Sequence, residues 1–211
     1  MEKVLELFEQ FEKYHTIRLT TEQELEILKN LTPDDFVGNG SSRAVYSFCG
    51  YVVKVAMSTG GMNQNAVEAS FYGNHGYSDC FAHLYAHGEM INIMEELDDC
   101  GFYEYGDYYD EEDEDDTERH FAIEGLMDEA SFRTNYDGAD NGQIGWSAID
   151  NCYKLYDYGY SMDYDRDEIV DDVEDWMQIA DPIENAIRTL ETGEIITQEE
   201  FYAMWKEKWN Y

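Results

Sequence analysis

Residues 36–57 read FVGNGSSRAVYSFCGYVVKVAM, and this stretch decides the fold. Its β-branched and aromatic residues, interrupted by Cys49-Gly50, predict a hairpin. Within the first arm, Gly38-Asn39-Gly40-Ser41-Ser42-Arg43-Ala44-Val45-Tyr46 reads as a glycine-rich turn between two strands. Glycines at such a turn let backbone N–H groups approach a phosphate, although many tight hairpins contain them too. The second arm places Lys54 inside the apolar run Val52-Val53-Lys54-Val55-Ala56. A charge in an apolar strand needs a partner or a task.

Helical spacing follows over residues 62–74, MNQNAVEASFYGN, with a stop at Gly73, and it offers Glu68 as the partner of Lys54. FAHLYAHGE and MINIMEE predict two further short strands. Upstream, Leu5, Phe8 and Phe11 at intervals of three predict a helix within residues 2–14. Thr21 with Glu24 predicts a capping box that opens a second helix over 22–30, and Pro33 ends that region. Downstream, residues 119–133 read as a helix and 134–143 as a loop. IGWSAIDNCYKLYDYGYS reads as a hairpin with an Asp150-Asn151 turn. Helices are predicted over 168–179, 182–191 and 198–209, the last opened by a capping box of Thr197 and Glu200.

Hydrophobic residues make up 43% of the chain and aromatic ones 15%, which is too much apolar material for a disordered protein. The 48 Asp and Glu against 13 Lys and Arg give a net charge of −35. That sign opposes direct binding to nucleic acid or an anionic membrane and favours a cationic partner. No window approaches the roughly 20 apolar residues of a membrane span. The N-terminus is charged and amphipathic, and the four cysteines form no CxxC pair. The expected setting is a reducing cytoplasm with free thiols.

The order of glycine-rich hairpin, strand lysine, helix glutamate, later strands and Asp157-Tyr158-Gly159 resembles the protein kinase-like family. GNGSSRAVY, VVKVA, QNAVEASFY, IGW and YKLYDYGYS carry the resemblance, which runs from about 36 to 160 and is nearest to compact kinase-like proteins of bacteria and their phages. It implies an α+β protein with a small antiparallel N-lobe sheet and helix, a reduced, mostly helical C-lobe, and an N-terminal helical extension. The implied divisions are 1–33, 34–97, an acidic insertion at 98–118, and 119–211. It also implies that Gly38 and Gly40 cover nucleotide phosphates and that Lys54 touches the α- and β-phosphates. Glu68 would hold Lys54, Glu95 would lie near an adenine-binding hinge, and Asp157 would bind magnesium.

The departures point to degeneracy. The His-Arg-Asp loop is absent before IGW; the local sequence is RTNYDGADNGQ. Asp137 or Asp140 could stand for the base and Asn141 for the second metal ligand. The family's asparagine follows its aspartate by five residues, whereas Asn141 follows Asp137 by four and Asp140 by one. The Ala-Pro-Glu anchor is missing, and the 54 residues that follow Asp157 in this sequence leave room for two or three helices. The expectation is a catalytically silent protein with no cofactor. ATP and magnesium enter only in an alternative reading, an atypical kinase or nucleotide-binding protein. There, Asp137 and Asp157 are catalytic, and Gly38, Gly40, Lys54, Glu68, Asn141 and Asp157 hold the nucleotide.

Between Glu95 and Glu118 there are fourteen acids and no Lys or Arg. A second cluster lies at 163–175, and tyrosines 103, 105, 108, 109, 160 and 164 are interleaved with both. The tract reads as a solvated insertion, a calcium site lacking the EF-hand order, or a polyanion mimic. Tyrosine supplies rigid contact area at interfaces, which favours the mimic. Asp107, Asp110, Glu111, Glu112, Asp113, Glu114, Asp115 and Asp116, with Asp163, Asp165, Asp167, Asp171 and Asp172, are the expected partner-binding residues. The expected function is that of an acidic, phage-encoded inhibitor that occupies the basic groove of a host DNA- or RNA-binding protein. Two weaker features remain. His83 and His87, with Glu89 near, have metal-ligand spacing without the HExxH pattern, and Cys49 and Cys152 read as buried packing residues.

Overall fold

The computed structural model describes residues 1–12, 15–40, 42–75, 79–104, 114–134, 141–156 and 181–209. It is an α+β fold with a mixed six-stranded sheet, a three-stranded sheet and six helices among these residues. The strands of the first sheet are β1 (Ile17–Arg18), β2 (Phe36–Asn39), β3 (Arg43–Phe48), β4 (Tyr51–Ala56), β5 (Leu84–His87) and β6 (Ile91–Glu95). Their order is β1-β5-β6-β4-β3-β2. All pairs are antiparallel except β1 with β5, so the expected all-antiparallel sheet gains a parallel edge strand from the N-terminal segment. The β3–β4 hairpin turns on Cys49 (φ 55°) and Gly50 (φ 79°). Two left-handed residues are what a two-residue turn needs to match strand twist.

Alternation along β3, β4 and β6 sends side chains to two faces, and both faces are covered. Ala44, Tyr46, Phe48, Val53, Val55, Ile91 and Ile93 form one face. Helices from both ends of the chain cover it: α1 (Glu2–Phe8), α2 (Thr21–Leu28), α5 (Pro182–Thr192) and α6 (Gln198–Trp209). Each fully buried aliphatic side chain here contributes about 1.5–3 kcal/mol of burial free energy. Asn185 Nδ2 donates to Met57 O at 2.9 Å, and Thr59 N donates to Ile196 O at 3.0 Å, which fixes the C-terminal helices to the end of β4. The stretch 119–211, expected as one lobe, therefore divides. Helices α5 and α6 pack on the six-stranded sheet because their apolar faces match its outer face.

The opposite face carries α3 (Thr59–His75), with Phe71 and Tyr72 packed near Leu84 and Met94. The same core continues into α4 (Glu114–Thr134) and the second sheet, β7 (Asp98–Glu104), β8 (Asn141–Ser147) and β9 (Cys152–Leu155), in the order β7-β8-β9. Backbone bonds join the two halves: Ala82 N donates to Leu155 O, and Leu155 N to Cys80 O, both at 2.8 Å. The described part of this half is one helix on three strands rather than mostly helical. Residues 98–104, expected within the acidic insertion, pair with β8 instead.

Other expectations shift locally. Leu5 is exposed, and Val4, Leu7 and Phe8 form the inward face of α1. Thr20 rather than Thr21 caps α2: its hydroxyl accepts from Gln23 N at 3.3 Å, and Gln23 Oε1 accepts from Thr20 N at 2.8 Å. Glu24, freed from capping, is buried and accepts from Met90 N (2.7 Å) and Ile91 N (3.0 Å). Only glycine fits at 88, because a Cβ there would lie 2.2 Å from Glu24 Oε1. Helix α3 runs two residues past Gly73. The Thr197–Glu200 capping box forms as expected, with Glu200 N donating to Thr197 Oγ1 (3.1 Å) and Thr197 N to Glu200 Oε2 (2.8 Å). Cys49 is exposed and Cys152 half-buried, against the expectation of buried packing residues; all four thiols are free.

Candidate functional site

Lys54 lies on the α3 side of the sheet because the pleat alternates Val53 and Val55 to the outer face. Its Nζ donates to Glu68 Oε1 at 2.6 Å. The expected strand–helix ion pair is therefore formed. Glu68 is fully buried, and its second oxygen accepts from Arg43 Nη1 (3.0 Å) and Asn92 Nδ2 (2.9 Å). Arg43 also donates to Asn65 Oδ1 at 3.3 Å. One carboxylate thus serves two buried cations. Arg43 was not among the expected site residues. The signal was present, since it shares the sheet face of Val45, the residue opposite Lys54, but the glycines before it read as turn.

Lys54 also donates to Tyr156 O at 2.9 Å. This bond reaches the second half of the molecule at the residue before Asp157. Asp157 itself lies outside the described residues, as do Asp137, Asp140, Asp107, Asp110, Glu111, Glu112, Asp113 and the cluster at 163–175. Glu114, Asp115 and Asp116 open α4. Asn141 is the first residue of β8 and pairs with Glu104.

Gly40 N donates to Arg43 O at 2.9 Å, so that N–H closes the turn instead of facing a ligand. A Cβ at Gly38 or Gly40 would meet nothing within 4 Å, and neither has a left-handed φ. Lys54 is 4% exposed, with donors committed to Glu68 and Tyr156. A bound ATP would need these groups turned toward it.

A second buried cluster joins the two sheets. Lys154, on β9, is fully buried and donates to Glu95 Oε2 at 3.0 Å and to Asp150. His83 Nε2 lies 2.7 Å from Asp150 Oδ2, and its Nδ1 lies 2.9 Å from the Tyr72 hydroxyl. Nε2 also lies 2.9 Å from Lys154 Nζ, so the ring bridges Tyr72 to both the Asp150 carboxylate and the Lys154 ammonium. Burial, and then the Lys154 ammonium, push the imidazole below its ordinary range, while Glu95 and Asp150 oppose the shift. Glu95 accepts from His83 N (3.1 Å) and from the Ser147 hydroxyl. It is therefore turned into the protein rather than toward an adenine. His87 takes no part in this cluster, so the His83–His87 metal pair is not formed.

No protein-family model, curated protein or solved structure matches the chain. The fold and site define an α+β protein with two sheets riveted by two buried charged clusters, and no helix among the described residues is long and apolar enough to cross a membrane.

Proposed function

We propose that the chain is a catalytically silent, kinase-like scaffold that presents an acidic surface to a basic protein, in the manner of a nucleic-acid mimic. The kinase-like part of this reading is supported by the antiparallel order β2-β3-β4-β6-β5, by α3 between β4 and β5, and by the Lys54–Glu68 pair. The charge carries the functional part. Of the 13 Lys and Arg, Arg43, Lys54 and Lys154 are buried in ion clusters. Glu68 and Glu95 are buried with them and the Asp150 side chain nearly so, so the surface keeps nearly the whole net charge of −35. Carboxylates held at phosphate-like density compete for Arg and Lys of a groove through charge-assisted hydrogen bonds. Association of this kind is fast and strongly salt-dependent. The target class is a DNA- or RNA-binding protein, and a phage inhibitor acting in its host's cytoplasm is the setting such a device suits.

Displacement of labelled DNA from a basic host protein tests this. Neutralising Asp110 to Asp116 and raising salt should each weaken displacement; unchanged displacement after neutralisation removes the tract from the mechanism. The Lys54–Glu68 geometry favours one second reading, nucleotide binding at that pair. ATP with magnesium should then raise the melting temperature, and Lys54→Ala and Asp157→Ala should each abolish the rise.

A further inference from the structure

Lys154 ends in a pocket with the donor set of a metal centre. Its Nζ lies 2.9 Å from His83 Nε2 and 3.0 Å from Glu95 Oε2, and it also bonds Asp150 Oδ2. These three acceptor atoms lie within 4.8 Å of one another: Nε2 is 2.7 Å from Oδ2 and 3.8 Å from Oε2. One imidazole and two carboxylates are ligand types that zinc takes, and a fourth position is left for water. Tetrahedral bonds of about 2.0–2.1 Å place ligand atoms roughly 3.3 Å apart, inside the observed spread. The supporting contacts match as well. The second ring nitrogen of His83 is held by Tyr72, and the second oxygen of Glu95 by the Ser147 hydroxyl. Metal-binding histidines and carboxylates are oriented by such outer partners.

We propose that this is a divalent-cation site whose cation is supplied by the chain itself, with Lys154 Nζ in the metal position. The lysine does the work an ion would do there. It draws together His83, before β5, and Glu95, on β6, with Asp150 of the β8–β9 turn, and so latches the second sheet to the first. While Lys154 is in place the pocket takes no metal. Once the ammonium and its stem are removed, the same three ligands and the vacated space accept an ion of the zinc class and a water.

The test is a metal titration of Lys154→Ala beside the wild-type chain, which carries the same acidic tracts and so corrects for weak binding there. After treatment with a chelator, Lys154→Ala should bind one equivalent of Co2+ or Zn2+. Co2+ should give a visible absorption band, and the melting temperature should rise with metal well beyond any wild-type change. His83→Gln in the Lys154→Ala background should abolish both responses. Lys154→Met, which keeps the bulk without the charge, should be destabilised and gain nothing from metal. If Lys154→Ala needs the ion to fold, refolding with Zn2+ should restore cooperative unfolding. A Lys154→Ala chain that responds to metal no more than wild type overturns the proposal. So does one that keeps its response after His83→Gln, or that fails to fold with and without the ion.

Discussion

Glu68→Gln is the most informative single perturbation, because that carboxylate is shared. Glu68 is fully buried and bonds Lys54 at 2.6 Å, Arg43 at 3.0 Å and Asn92 at 2.9 Å. Removing its charge leaves two buried cations without the carboxylate that both use. Breaking a buried pair in this way costs about 3–5 kcal/mol, a large share of the roughly 5–15 kcal/mol that holds a domain folded. With a urea m-value of about 2 kcal/mol/M, the midpoint should fall by about 1.5–2.5 M. Lys54→Met should cost less, roughly 1.5–3 kcal/mol, the value of a lost charged hydrogen bond, because Glu68 keeps Arg43 and Asn92. The double variant should cost less than the sum of the two, since the side chains touch. Urea unfolding followed by fluorescence and circular dichroism provides the assay. A Lys54→Met penalty equal to or above that of Glu68→Gln would refute the shared-carboxylate reading.

Three further outcomes follow from the same structure. Burial raises the Glu24 carboxyl above its ordinary range, against the N–H bonds from Met90 and Ile91. The folded state therefore holds that proton more tightly than the unfolded one, so stability is lost as pH rises from the ordinary carboxylate range through the raised value. Glu24→Gln, which can still accept both N–H bonds, should gain on wild type as pH rises from about 4 to about 7; denaturant midpoints across that range check the sign. Cys49 is exposed and left-handed, so Cys49→Asn should be tolerated and Cys49→Val should cost about 1–2 kcal/mol, read as a melting shift. Self-repulsion at −35 is screened beyond about 10 Å in 0.1 M salt, so the melting temperature should rise with NaCl; a fall would remove repulsion as a cost of this fold.

What could be read from the sequence was local, and what could not was set by docking. Lys54 and Glu68 were legible because strand alternation and helical spacing each fix a face, and one turn of chain joins the two elements. The Cys49-Gly50 turn and the Thr197–Glu200 box were legible because their chemistry lies within four residues. Arg43 was hidden by the glycines beside it. His83, Glu95, Asp150 and Lys154 meet only after the β8–β9 hairpin docks on the segment around Phe81, and each had a sufficient local explanation as strand, hinge or turn. Helix α5 was predicted over 182–191 and α6 was visible from its cap, but an amphipathic face does not say which apolar surface it will cover.

The placement of the cations shows how the two sheets are held together. A chain with 13 Lys and Arg against 48 acids would relieve its self-repulsion most cheaply by leaving every cation at the surface. Three are instead buried, where desolvation is costly and multiple acceptors must compensate. Each cluster joins segments far apart in sequence: Lys54 ties β4 to α3 and to the end of β9, and Lys154 ties β9 to β6 and to the entry of β5. The buried cations therefore stiffen the union of the two sheets, and the acids buried with them leave the surface charge almost unchanged.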